Sequence, residues 1–133
     1  MDAAPAQPPH VIAGFSVPRV MFQVLAALLP VLAVQIHFFG LRLLLLVAVA
    51  AIVALACEAL ALHLRHRSVQ PCLRDGSVLV TAALIALAVP PTLPLWQLAL
   101  GVAVAVLLAK HAYGGLGQNP FNPAMVGYAV LLV

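Results

Sequence analysis

Charged side chains are scarce in this sequence of 133 residues, and that scarcity excludes most classes of protein. Only 7% of the residues are charged and 65% are hydrophobic, whereas soluble domains have about 25% and roughly 45–50%. The mean hydropathy is +1.18. A disordered chain and a soluble enzyme domain are excluded. A nucleic-acid-binding protein is excluded too, because six cations and three acids spread over the chain form no basic stripe. The composition predicts an integral membrane protein.

Cysteine is also rare, and the sequence motifs of catalytic and metal-binding proteins are missing. Cys57 lies in an apolar run and Cys72 in a basic loop, so we expect no disulfide. The sequence has no CxxC pair, no phosphate-binding glycine loop after a strand and no catalytic triad pattern. We therefore expect no metal site and no catalysis by this segment alone.

Hydrophobic runs fill most of the chain and predict an all-α, polytopic membrane protein with four to five segments. A spanning helix needs about 20 apolar residues. After a proline-rich tail at 1–18, the predicted segments are 20–39, 41–62, 78–89, 95–112 and 122–133. The segment 78–89 is too short to cross a bilayer before Pro90 and Pro91, so it predicts a broken or re-entrant helix. The last segment lacks a helix-end signal, and we expect the natural chain to continue.

The few cations predict the orientation of these segments. Arg65, Arg67 and Arg74 cluster in one loop, and Arg19 precedes the first segment on the same side. Arg42 is the one cation on the opposite side. Because cytoplasmic loops carry an excess of Lys and Arg, we expect the tail 1–18 and the 63–74 loop to be cytoplasmic.

Ionisable residues near the predicted segment ends have two interpretations each. Asp75 is either an ion-pathway residue at the mouth of the broken helix or an N-cap of that helix. Glu58 lies seven residues before Arg65, and we interpret the two as an interfacial ion pair. Lys110 and His111 end the fourth segment, and we assign both to the interface.

A glycine-rich loop with two Asn-Pro pairs is the most informative local pattern. Residues 114–123 read Gly-Gly-Leu-Gly-Gln-Asn-Pro-Phe-Asn-Pro. Asn at an N-cap followed by Pro is a helix-start signal, so Asn122 should open the last helix. Either the loop aims that helix start at a protein-lined cavity, or it is a simple tight turn. If it is a site, Gly115, Gly117, Asn119 and Asn122 are its candidate residues.

The segment 113–128 resembles a known family. It reads Tyr-Gly-Gly-Leu-Gly-Gln-Asn-Pro-Phe-Asn-Pro-Ala-Met-Val-Gly-Tyr and is similar to the RnfD (RsxD) family, a membrane component of the Rnf (Rsx) electron-transport complex. The related family is a membrane component of the sodium-translocating NADH:quinone oxidoreductase. The resemblance covers about residues 15–133. It implies a bacterial inner-membrane component of a complex that couples electron flow between ferredoxin and NAD to ion translocation.

The resemblance also implies a cofactor and partners. Family members have about ten membrane segments in two related halves, so this chain should be the first half of an inverted-repeat bundle. They carry covalent FMN on a threonine in a Ser-x-Ala-Thr-like motif, and riboflavin is a further candidate. That motif is absent here, where Thr81 and Thr92 are the only threonines, so the attachment residue should lie outside this chain. The expected partners are the other membrane subunits and the lipid bilayer, and no nucleic acid. The loop residues 115, 117, 119 and 122 would shape a flavin or ion pathway.

A channel or transporter of the urea-channel or water-channel type is the alternative function. Asn122-Pro123-Ala124 is the tripeptide of water channels, and broken helices are typical of transport folds. A water channel needs a second such tripeptide in its other half, and this sequence has one. Fold likeness to a pore leaves the function open.

Overall fold

The structure is a computed structural model that describes residues 16–114 and 119–133. Gly115 and Gly117 therefore lie outside the described residues, as does most of the predicted 1–18 tail. The helices are α1 (Val17–Phe39), α2 (Arg42–Leu64), α3 (Val69–Leu73), α4 (Ser77–Ala88), α5 (Leu95–Val104) and α6 (Pro123–Leu132). A π-helix, Ala105–His111, continues α5. Within the described ranges there is no strand.

Two long helices form a hairpin at the start of the chain. The helices α1 and α2 have 23 residues each and are apolar enough to cross a membrane. At about 1.5 Å per residue, each exceeds the ~30 Å hydrocarbon core. Gly40, which separates the segments 20–39 and 41–62 of the sequence analysis, forms the turn, and its N–H donates to the carbonyl of Ile36 at 2.8 Å. Gly40 has φ +81°, which a glycine adopts without a Cβ penalty.

Helix α2 lies at the centre and buries one continuous stripe. Its buried positions recur every three or four residues and are Leu43, Leu46, Ala50, Ala54, Glu58, Ala61 and Leu62. This spacing is one face of an α-helix. The stripe packs against α4 and against α5 with its π-helical extension. Helix α1 packs on α2 and α4 but buries no residue of its own.

The helix α4 and the α5–π segment form an antiparallel hairpin. The hydroxyl of Ser77, at the start of α4, lies 2.9 Å from the amine of Lys110, near the end of the π-helix. Side chains of α1 and α2 donate hydrogen bonds to carbonyl groups at the hairpin turn. Gln35 donates to the carbonyl of Leu87 at 3.1 Å, and Arg42 donates to that of Pro91 at 2.6 Å. The short segment is therefore a helix that turns back at the prolines, with its freed carbonyls covered by protein.

Glycines bring α5 and α6 into close contact. A Cβ on Gly127 would lie 2.7 Å from the carbonyl oxygen of Gly101, and one on Gly101 would lie 2.6 Å from Leu131. Small residues at helix contacts are typical of membrane bundles. Large apolar side chains cover the outer surface, including Phe22, Ile52 and Leu108. The predicted class, an all-α polytopic membrane protein, is confirmed.

Candidate functional site

A cluster of ionisable side chains lies inside the helix bundle. Glu58 on α2 is 1% exposed, and Lys110 and His111 on the π-helix are 3% and 5% exposed. The ammonium of Lys110 donates to Oε1 of Glu58 at 2.8 Å, and Nε2 of His111 lies 2.8 Å from Oε2 of the same carboxylate. Each oxygen of the buried carboxylate thus has its own nitrogen partner. We call Glu58, Lys110 and His111 the buried triad.

A hydroxyl connects the buried triad to the start of α4. The Lys110 ammonium also donates to Oγ of Ser77 at 2.9 Å, and that hydroxyl donates to Oδ1 of Asp75 at 2.7 Å. The same oxygen accepts the backbone N–H of Ser77 at 2.8 Å. A continuous hydrogen-bonded chain therefore runs from Asp75 through Ser77 and Lys110 to Glu58 and His111.

Local backbone geometry places two successive residues against one carboxylate. Glu58 continues the buried stripe of α2, so the face that packs the bundle also carries this charge. Lys110 and His111 are neighbours in sequence, and the π-helix presents both to Glu58. π-Helical turns, in which each N–H bonds the carbonyl five residues back, are rare in proteins and are found often at functional sites. The π-helix is therefore part of the site's construction.

The buried triad lies along α2 and away from its end, on a helix long and apolar enough to cross a membrane. Glu58 comes six residues before Leu64, the end of the helix, which is about 9 Å at the rise of an α-helix. Buried charges are costly unless they are paired, and here the carboxylate, the amine and the imidazole satisfy one another. Ionisable residues in such helices mark ion and proton pathways in membrane proteins.

A cavity of about 230 Å³ adjoins the cluster. Its polar lining comes from Ser77, Thr81, Lys110, Asn119 and Asn122. The helices α4 and α6 both begin at this cavity, so two positive helix ends face the same space. One of the two interpretations of the glycine-rich loop was that the last helix starts at a protein-lined cavity. Asn122 and Pro123, at the start of α6, do line this cavity.

The sequence-predicted candidates take distinct places around the cavity. Asn122 is the N-cap of α6, as predicted, and its Oδ1 accepts the N–H of Ala124 at 2.9 Å. Asn119 lines the same cavity. Its Oδ1 is buried and has no hydrogen-bond partner among the residues that the structure describes. Asp75 caps the first turn of α4 and also contacts the cluster through Ser77. Both interpretations of Asp75 therefore remain compatible with its position.

The sequence-based pairing of Glu58 is wrong. Glu58 pairs with Lys110 and His111 instead of Arg65, which is exposed. Lys110 and His111, which we assigned to the interface as span-end residues, are buried in the bundle and pair with Glu58. The signal that could have found this site is the alanine spacing on α2, because Ala50, Ala54 and Glu58 recur every four residues on one face. The near-uniform apolarity of the helix hides that stripe.

The donor set of the site is poor in metal ligands. Among the described residues, no three His, Cys, Asp or Glu side chains come together as a metal-binding group. Within the buried triad, the carboxylate oxygens already have nitrogen partners at 2.8 Å. The chemistry available to these groups is the binding, holding and passing of protons and charge.

Residues 5–133 match the model of the NQR2, RnfD, RnfE family. The chain is 50% identical over 115 residues to the D subunit of the ion-translocating oxidoreductase complex of Shigella flexneri, covering 86% of this chain and 33% of that protein. It is 49% identical over 133 residues to the protein of the same name from Tolumonas auensis, covering 100% of this chain and 38% of that protein. The chain thus spans about a third of the length of these curated relatives.

Proposed function

This chain belongs to the NQR2, RnfD, RnfE family, and from that premise we propose that it forms part of the membrane subunit of a redox-driven, ion-translocating complex of the ferredoxin–NAD type. Relatives at about 50% identity are named as the D subunit of an ion-translocating oxidoreductase complex. The observation that carries the proposal is the buried triad, a charged group inside apolar helices. Its role is that of an ion-pathway element of the membrane domain.

The residues of the site have separable roles in this proposal. Glu58 holds the negative charge, and Lys110 and His111 stabilise it from two sides at 2.8 Å. Ser77 and Asp75 extend the path from the triad to the start of α4. Partners in the same complex would be further membrane subunits, and the outer apolar surface would meet them or lipid.

The proposal includes a covalent FMN attached outside these 133 residues, and free riboflavin remains a further candidate. The cavity beside the triad holds about 230 Å³, less than the ~300–1,000 Å³ of sites for drug-sized ligands. The hydroxyl of Thr81 is buried and donates to the carbonyl of Ser77 at 3.1 Å, and Thr92 lies in the hairpin turn at the other end of α4. This cavity is therefore too small to enclose a flavin by itself, and no step of electron transfer is placed on the described residues.

One experiment tests the role of the triad in the complex. The full-length subunit carrying Glu58→Ala is assembled with its partner subunits, and electron transfer and membrane potential are measured in vesicles. We expect potential formation to fall at least tenfold, while the control Arg67→Gln, in the exposed loop after α2, leaves it unchanged. Normal potential formation in the Glu58→Ala complex would count against the ion-pathway assignment. Solute flux without redox activity would favour the channel alternative.

The flavin proposals are tested on the same full-length subunit. Thr81→Val and Thr92→Val together should leave covalent flavin fluorescence in a denaturing gel unchanged. Loss of that fluorescence would contradict attachment outside this chain. Asn119→Ala with Asn122→Ala should reduce flavin content or ion transport if the loop with Gly115 and Gly117 shapes the pathway, and normal values for both would argue against that role.

We further propose that the protein lies in the bacterial inner membrane with its N-terminus in the cytoplasm. The support is the arginine cluster between α2 and α4. A Ser68→Cys variant, made after replacing Cys57 and Cys72 by serine, should react with an impermeant maleimide in inverted vesicles. Reaction in intact spheroplasts instead would reverse the orientation.

A further inference from the structure

We propose that the contact line between α1 and α4, which we call the α1–α4 seam, binds one anionic phospholipid of the membrane. The lipid phosphate lies between Arg19 and Arg74, and one acyl chain fills an apolar crevice further along the seam. This inference concerns the outer side of the bundle and is independent of the buried triad. It depends on how α1 contacts α4, on the lining of the crevice and on the charges at one end of it.

The helices α1 and α4 make contact at the two ends of the seam. At one end, Gly76 has φ +74°, and a Cβ there would lie 3.4 Å from Cβ of Met21 and 3.8 Å from the ring of Phe22. At the other end, the side chain of Gln35 donates to the carbonyl of Leu87 at 3.1 Å. Helix α1 buries no residue of its own. The two end contacts therefore hold α1 on the bundle, and the middle of the seam is less closely packed.

A crevice of about 160 Å³ lies in the middle of the seam. Its walls are apolar and include Leu25, Leu28 and Leu32 of α1, Ala83 and Leu87 of α4, and Val47 of α2. Leu29 also lines it and is 61% exposed, so the crevice opens to the outer surface. An apolar cavity of about 150 Å³ takes up benzene, so this crevice holds about six carbon atoms of an alkyl chain. Groups that border a gap lose van der Waals contacts, and an acyl chain from the bilayer restores them.

The crevice lies at the depth of an acyl chain. Arg19 is in the first turn of α1, a helix long and apolar enough to cross a membrane. The crevice residues of α1 begin at Leu25 and end at Leu32, which places them about 9–20 Å along the helix axis from Arg19. One leaflet of a ~30 Å hydrocarbon core is about 15 Å deep. A chain whose phosphate lies at Arg19 therefore passes the crevice.

Two arginines at the Gly76 end of the seam fit a phosphate group. Arg19 comes three residues before Phe22 and so lies on the same face of α1, and Arg74 comes two residues before Gly76. Both arginines are exposed. In the described part of the chain, the salt bridges are confined to the buried triad. Because guanidinium groups bind phosphate through paired hydrogen bonds, these two side chains are available to hold one.

The balance of charge and the adjoining crevice favour a lipid as the source of that phosphate. Asp75 is the one acid of the described residues outside the buried triad, and its Oδ1 already accepts two hydrogen bonds from Ser77. Basic residues beside the end of a spanning helix attract anionic lipids. A free phosphate or an acidic protein would meet the arginines alone, and neither would fill the crevice.

The test uses the full-length subunit in the assembled complex, placed in lipid nanodiscs. The probe is phosphatidylglycerol with a photoreactive diazirine in its acyl chain, and labelled peptides are identified by mass spectrometry. Arg19→Gln with Arg74→Gln removes the phosphate partners. Arg65→Gln with Arg67→Gln is the matched control, because it removes the same charge at the same end of the bundle, but from the loop after α2.

We expect the label within residues 25–32 of α1 and 83–87 of α4. Each arginine near the membrane surface strengthens binding of an anionic lipid about fivefold, so the Arg19 and Arg74 double variant should lose about 25-fold of the labelling. The control double variant should keep it. Ala83→Phe fills the crevice and should abolish labelling of the seam, whereas Ala27→Phe, at an exposed position of α1 outside the crevice, should leave it unchanged.

Three results would overturn the proposal. Equal labelling by phosphatidylcholine with the same diazirine, or full labelling of the Arg19 and Arg74 double variant, would show that bulk lipid fills the seam without recognition. Displacement of the probe by added glycerol phosphate would show a phosphate site that needs no acyl chain. A wild-type seam without label would show that protein covers it in the complex. None of these readouts depends on ion transport, so the ion-pathway proposal is tested separately.

Discussion

A single methyl group added at the contact between α5 and α6 should weaken the bundle. A Cβ on Gly127 would lie 2.7 Å from the carbonyl oxygen of Gly101, 2.8 Å from Cβ of Ala105 and 2.9 Å from Cδ1 of Ile85. Two of the three atoms it meets belong to backbone or to a Cβ, which no side-chain rotation can move. Gly127→Ala therefore forces α6 away from α5.

The size of the effect follows from that displacement. Ordinary contact begins at 3.4 Å, so the helices must part by about 0.7 Å at this point, and a gap of ~0.5–1 Å forfeits a quarter to a half of each contact's attraction. Overpacking of this kind costs about 1–3 kcal/mol. Against this cost, the higher helix propensity of alanine than of glycine stabilises α6 by about 0.8–1 kcal/mol. The expected net loss in free energy of unfolding is therefore up to about 2 kcal/mol.

Gly101→Ala is the matched control. It gains the same helix propensity, but its new Cβ meets the side-chain carbons of Leu131 at 2.6–2.8 Å, which can rotate away. We expect it to lose less stability than Gly127→Ala, because a side chain can move where a backbone carbonyl cannot. The assay is reversible unfolding of the full-length subunit in mixed micelles, titrated with a denaturing detergent. The reasoning is refuted if Gly127→Ala is more stable than the wild type or more stable than Gly101→Ala.

Three further substitutions test the local structure in the same unfolding assay. Asn122→Ala removes the acceptor for the N–H of Ala124 and should cost about 1 kcal/mol, while Asn122→Asp retains the cap; equal stability of both variants would contradict the capping role. Ser77→Ala takes a partner from the buried amine of Lys110 and should cost about 1–3 kcal/mol, whereas Ser77→Thr keeps the hydroxyl and should cost less. Gly40→Ala meets nothing within 4 Å, yet its φ of +81° should cost about 1–3 kcal/mol; a neutral result would show that the turn relaxes freely.

Several helix ends were predictable because local chemistry decides them, whereas the short helix α3 and the π-helix were not predicted. Pro90 and Pro91 end α4, Asn122 with Pro123 begins α6, and Gly40 forms the turn between the two long helices. Each of these residues acts through its own backbone geometry or through groups within a few residues. The sequence therefore indicated where chain segments start and stop without any knowledge of their neighbours.

The partners of the ionisable residues could not be predicted in the same way. Glu58 and Lys110 are 52 residues apart in sequence, and nothing local distinguishes a charge near a helix end that faces water from one that faces the bundle. Helix α2 is apolar on nearly all of its faces, so the sequence shows no contrast between polar and apolar positions that would reveal the buried face. We paired Glu58 with Arg65 because the two are close in sequence. In the tertiary structure Glu58 pairs with Lys110 and His111 instead.

By itself, the sequence determined that this is a helical membrane protein, where its helices turn, and which family it resembles. Those properties depend on composition, on proline and glycine backbone preferences and on a contiguous motif. Only the tertiary structure decided that α4 turns back against α5 and that the starts of α4 and α6 meet at one cavity. It also decided that Glu58, Lys110 and His111 form one buried group. The physical reason is that a buried charge must find its counter-charge wherever packing brings one within hydrogen-bonding distance, and packing joins residues that the sequence keeps far apart.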